Sequence, residues 1–145
     1  MTPLEVIQNW LKRVQEPRKE LNGKSICPFA KMPAIVVVKQ LTSETVIPIS
    51  QSITIYIEDS VNSSFEDIDA VCRDLRSKHN DYIFLPDHPE KKNYINGIET
   101  GNGHLPLIIV QNSNELLSAR RKLEKTDYYD KWDKNYLKDI KSYGD

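Results

Sequence analysis

Cysteine, methionine and tryptophan each occur only twice in the 145 residues, histidine three times and glycine five times. Two cysteines, Cys27 and Cys72, make no disulfide framework. Neither has a second Cys or a His at the spacing of a zinc knuckle, so no structural metal is expected. Reduced thiols fit a cytoplasmic protein. No apolar run approaches the ~18 residues of a spanning helix. Glu5 and Gln8 interrupt the N-terminal apolar stretch and no basic residue precedes it, so no secretory signal is read. An excess of either charge is also missing. Lys and Arg number 20 against 21 Asp and Glu, a net charge of −1. That balance argues against a dedicated nucleic-acid binder. There is no repeat, no low-complexity tract and no linker. With 39% hydrophobic and 28% charged residues, 1–145 reads as one globular domain, with 127–145 as a C-terminal helical extension.

Short elements fill the chain. Thr2-Pro3-Leu4-Glu5 is a capping box with proline at the first helical position. Leu4, Ile7, Leu11 and Val14 follow at helical spacing beside Trp10, and Pro17 ends the run. Ala34 to Val38 is unbroken, apolar and β-branched, the pattern of a strand covered on both faces. Pro48 marks Val46 to Ile49 as an edge strand or none. Ile53, Ile55 and Ile57 alternate with polar neighbours, which predicts a strand. Ser63 and Glu66 form a second capping box before a helix over 64–79 with Phe65, Ile68, Cys72, Leu75 and His79 on one face. Tyr82 to Leu85 is a strand ended by Pro86, and 86–105 a long irregular segment. Pro106 to Val110 reads as a central strand. Asn112 caps a helix bearing Leu116, Ala119 and Leu123. Thr126 or Asp127 caps a last one, with Tyr129, Trp132, Tyr136 and Ile140 on one face. Adjacent strands without intervening helices predict an α+β fold. The expected sheet is mixed or antiparallel, four- to five-stranded and ferredoxin-like or related, with helices packed on it.

Two places carry candidate chemistry. Cys27 sits in Cys27-Pro28-Phe29-Ala30, where proline fixes the chain beside a thiol that would act as a thiolate nucleophile. A small buried hydrophobe is the commoner role of such a residue. Phe29 is expected to dock on the core. The glutaredoxin pattern is rejected, because the preceding segment is polar and no second Cys follows at the required position. His88, in Asp87-His88-Pro89-Glu90, suits acid–base work. In the same long segment Gly101, Asn102, Gly103 and His104 offer successive backbone N–H groups as an anion nest, although a permissive turn is the commoner reading. It is not a dinucleotide fingerprint, since it precedes a strand. No cofactor motif and no metal set is found.

Trp10, Cys27-Pro28-Phe29-Ala30, Phe65, His88-Pro89 and Pro106 together resemble a bacterial domain-of-unknown-function family. Its members open with a Trp-bearing helix and a Leu-Cys-Pro-Phe-Ala segment, and place a His-Pro after a strand. The likeness spans most of residues 5–125. Ile26 replaces the usual leucine, the region between the first strands is shorter, and the tail after Asp127 is added. Such trimming resembles a phage-encoded or otherwise divergent member. The resemblance implies a fold and a site location, and brings no activity.

The expected function is therefore a small-ligand-binding protein or an enzyme, with Cys27 and His88 converging and Asp87 and the Gly101–His104 loop binding the ligand. The alternative is a non-enzymatic interaction module that binds a protein partner or a second copy through Tyr129, Trp132 and Tyr136.

Overall fold

The computed structural model describes residues 1–21, 23, 25, 33–49 and 53–144. The Cys27-Pro28-Phe29-Ala30 segment lies outside the described residues. Helix α1 (Pro3–Gln15) starts as the sequence predicts, with Thr2 Oγ1 accepting the Glu5 N–H at 3.2 Å. Its buried face is Ile7, Trp10 and Val14, while Leu4 at the first turn is exposed.

Strands β1 (Ala34–Val38), β2 (Ile53–Glu58), β3 (Tyr82–Asp87) and β6 (Leu107–Asn112) form one mixed sheet in the order β1-β2-β6-β3. The fold is α+β in a single domain. Helix α2 (Phe65–Lys78) connects β2 to β3, and β6 inserts between them antiparallel to both. This is the split β-α-β unit of ferredoxin-like sheets. The remaining edge is taken by β1, parallel to β2. A parallel pair needs a long crossover. Here residues 39–52 supply it, with Leu41 and Val46 buried in the core beneath.

The sheet is apolar on both faces. Tyr56, Phe84, Ile108 and Val110 pack against Ile68, Cys72 and Leu75 of α2. Ile55, Ile57 and Leu107 pack against α1 and Ile95. Val36 and Val38 join the first core and Ile35 the second, as the unbroken β1 run implies. Only Val37 stands out, 46% exposed, because β1 is an edge strand.

Several boundaries differ from expectation. The capping box at α2 is Ser64 with Asp67, one residue later than predicted. Pro86 does not end β3 but lies within it, opposite Ile108, which an edge strand tolerates because one side needs no N–H donor. The long segment contains a hairpin, β4 (Tyr94–Ile95) and β5 (Ile98–Glu99), turned by Asn96 and Gly97, both at positive φ. That is the turn Asn-Gly favours. After α3 (Ser113–Glu124), the predicted final helix is broken. A 3-10 turn at Tyr128–Lys131 is followed by α4 (Lys134–Lys141), capped by Asp133. Asp133 Oδ1 accepts the Asn135 and Tyr136 N–H groups, and this cap competes with continuation of the earlier turn.

Ser63, displaced from its expected cap, serves Glu58 instead. Glu58 is fully buried at the end of β2. Its carboxylate accepts Leu41 N–H at 2.9 Å, Asn62 N–H and Ser63 N–H at 3.1 Å each, and the Ser63 hydroxyl. One side chain thus ties the crossover after β1 to the start of α2. Glu58→Ala would leave the buried Leu41 and Ser63 N–H groups without partners, at about 1–3 kcal/mol for each such group. Urea denaturation is expected to show a loss of at least about 2 kcal/mol. An unchanged midpoint would mean that the two loops hold without Glu58.

Candidate functional site

Adjacent strand residues point to opposite faces, and this separates Asp87 from His88. His88 is buried and turns toward the start of α2. Its Nε2 donates to Ser63 O at 2.7 Å, and its Nδ1 accepts the Glu90 N–H at 3.0 Å. Both ring nitrogens are engaged by backbone in the neutral Nε2–H form, so the ring acts as a strut between two loops.

Asp87, half-buried, turns to the α1 side of the sheet and meets the predicted glycine loop. Its Oδ2 accepts the Asn102 backbone N–H at 2.9 Å and Asn102 Nδ2 at 2.6 Å. Asn102 is buried and uses its whole side chain. Nδ2 also donates to Leu105 O, and Oδ1 accepts the His104 and Leu105 N–H groups. Gly101 lies against the same carboxylate, where a Cβ would come within 2.5 Å of Asp87 Oδ1. Gly103, at φ 76°, makes the turn beside Glu99. Asp87, Gly101, Asn102, Gly103 and His104 are thus brought together. The anion held by the Asn102 N–H is the chain's own Asp87 carboxylate.

Three side chains from two further elements, α1 and α4, bind this loop. Trp10 Nε1 donates to Thr100 O at 3.0 Å, Arg13 Nη2 to Gly101 O at 2.8 Å, and Tyr136 Oη to Thr100 Oγ1 at 3.1 Å. Sequence reasoning missed Trp10, Arg13 and Thr100 as site residues. Their partners are backbone groups some 90 positions away, and no local pattern announces such pairs.

Beside the loop a cleft of about 550 Å³ opens between the sheet and the C-terminal elements. Ile55, Leu85 and Ile109 form its sheet wall, and Ala119, Trp132 and Tyr136 face them from α3, the segment after it and α4. Asp87, Thr100 and Gly101 are also in its wall. Tyr129, Trp132 and Tyr136 pack within their own chain. Trp132 stacks on Tyr136 with centroids 5.4 Å apart and planes 13° apart, and Tyr129 meets its edge at 5.0 Å. Trp132 and Tyr136 lean on the core beneath α1. Among the described residues no three His, Cys, Asp or Glu side chains gather as a metal site, and no helix is long and apolar enough to cross a membrane. No family model matches the chain, and no curated protein or solved structure matches it.

Burial raises the Asp87 carboxyl above its ordinary range. The Asn102 hydrogen bonds oppose that shift and the neighbouring Glu99 charge adds to it. The folded protein therefore holds this proton more tightly than the unfolded chain does. Stability from the group is complete below the ordinary aspartate value of about 3.9 and is lost as pH rises from there through the higher folded value. Wild type should lose stability relative to Asp87→Asn across that interval. Denaturant midpoints that stay parallel from about pH 3 to about pH 7 would contradict this. Gly101→Ala is expected to cost about 1–3 kcal/mol by overpacking, less in an Asp87→Ala background, where the clashing oxygen is gone.

Proposed function

We propose that the chain is a small-molecule-binding protein whose ligand lies in the cleft between the sheet and the α3–α4 segment. The observation that carries this reading is the cleft itself. Its 550 Å³ falls within the roughly 300–1,000 Å³ of small-molecule sites. Such sites combine a mostly apolar wall with a few fixed polar groups. Here the apolar wall is β2, β3 and β6, and Asp87 and Thr100 at the pinned loop are among the polar groups of the lining.

A compact ligand carrying a ring fits these walls. Ile55, Leu85 and Ile109 line the sheet side with aliphatic groups, and Trp132 and Tyr136 supply aromatic rings. The loop that would flex in an open site is held from three elements, α1, β3 and α4, so little ordering cost falls on the ligand. The reading is one of binding, because both nitrogens of His88 are engaged by backbone.

An NMR titration with a naphthalene derivative tests it. Shift changes are expected at Leu85, Ile109, Trp132 and Tyr136. Ala119→Phe, which fills the cleft from α3, should weaken binding at least about tenfold with the far-ultraviolet circular dichroism unchanged. Changes scattered over the surface, or a filled variant that binds as well as wild type, would overturn the proposal.

A further inference from the structure

Asp87 is a carboxyl in the cleft wall without a counter-ion. Its Oδ2 takes both Asn102 hydrogen bonds, whereas among the described residues Oδ1 accepts none and no Lys or Arg pairs with the group. Three buried side-chain atoms among the described residues are covered and also make no hydrogen bond: Arg18 Nε, Thr54 Oγ1 and Trp132 Nε1. Asp87 Oδ1 is not one of them, so solvent reaches it where Asp87 lines the cleft. Gly101, in the same wall, leaves the space beside that oxygen, which a Cβ would enter to 2.5 Å. A carboxylate drawn out of water ordinarily has a cation beside it. The surroundings supply none. Glu99 of β5 adds negative charge, and His88 sits on the other face with both nitrogens engaged. Lys91 pairs with Asp139 of α4 at 3.6 Å, and Arg13 of α1 gives Nη2 to Gly101 O. Glu115, Arg120 and Lys122 line the cleft from α3 without acting on Asp87, and His104 is exposed.

Building on the binding reading above, we infer that the ligand of the cleft carries an ammonium group that donates to Asp87 Oδ1 and supplies the missing counter-ion. Trp10, Trp132 and Tyr136 in the lining suit such a ligand, because aromatic rings attract positive charge. The ligand class is thereby narrowed from any compact ring to a flat ring bearing an amine. A hydrocarbon of the same shape leaves the carboxyl unpaired and gains only the burial of its surface.

The test compares naphthylmethylamine with ethylnaphthalene, which match in shape and differ in the charged nitrogen. At pH 7 the amine is expected to bind wild type at least about tenfold more tightly, the size of one hydrogen bond to a charged group. That advantage should vanish in Asp87→Asn, which keeps an acceptor for the Asn102 donors and removes the charge. Affinity for the amine should rise from about pH 4 to about pH 7 as Asp87 ionises, while affinity for ethylnaphthalene should not. The carbon NMR signal of the Asp87 carboxyl should titrate at lower pH with the amine bound. Should Asp87→Asn fail to fold, the wild-type carboxyl signal and the wild-type affinity ratio decide the matter. An advantage that persists in Asp87→Asn, or equal affinities with an unmoved carboxyl midpoint, would overturn the inference and leave the cleft as a binding site. Failure of both compounds to bind would overturn the binding reading together with it.

Discussion

The pairing of Asp87 with Asn102 holds together everything that frames the cleft. Asp87 ends β3, and Asn102 stands in the loop that feeds β6, so their two hydrogen bonds close the chain between neighbouring strands. With Asn102 fixed, Thr100 and Gly101 present carbonyls to Trp10 and Arg13 on α1 and a hydroxyl to Tyr136 on α4. Loss of that register would release both helices from the same point. The carboxyl is held inside the fold by Asn102, and its burial raises its pKa.

A sheet apolar on both faces explains why two polar hubs exist. Strands β2 and β6 alternate between the core under α2 and the core under α1, while Tyr82 to Leu85 of β3 join the α2 core. Polar side chains at strand ends therefore fall to one side or the other. Glu58 and His88 serve the α2 side, where both engage Ser63. Asp87 serves the α1 side. Each hub satisfies backbone donors that a buried loop would otherwise leave unpaired, and the cleft borders only the second.

The aromatic segment after α3 is the other constraint on the site. Tyr128, Tyr129, Trp132 and Tyr136 contact one another through a chain of edge and stacked pairs, and this rigid wall rests on the chain's own core. The spacing of Tyr129, Trp132, Tyr136 and Ile140 predicts a shared helical face. The break at Asp133 turns that face into two short pieces folded over the sheet.

Local patterns alone determined much of this protein. Alternating isoleucines specified β2, Thr2 and Asn112 specified helix starts, and the Asp87–His104 stretch was marked by its Gly, Asn and His content as the place where polar groups gather. Those signals act between residues a few positions apart, where propensity and capping operate. Tertiary structure decided the rest. It turned Asp87 and His88 to opposite faces and gave Ser63 to Glu58 rather than to the cap of α2. It also brought Trp10 and Tyr136 to one loop residue and left the Trp132 indole without a partner beside a cleft. These outcomes depend on which groups meet across the fold, and the desolvation of a buried polar atom is settled only when its neighbours are in place.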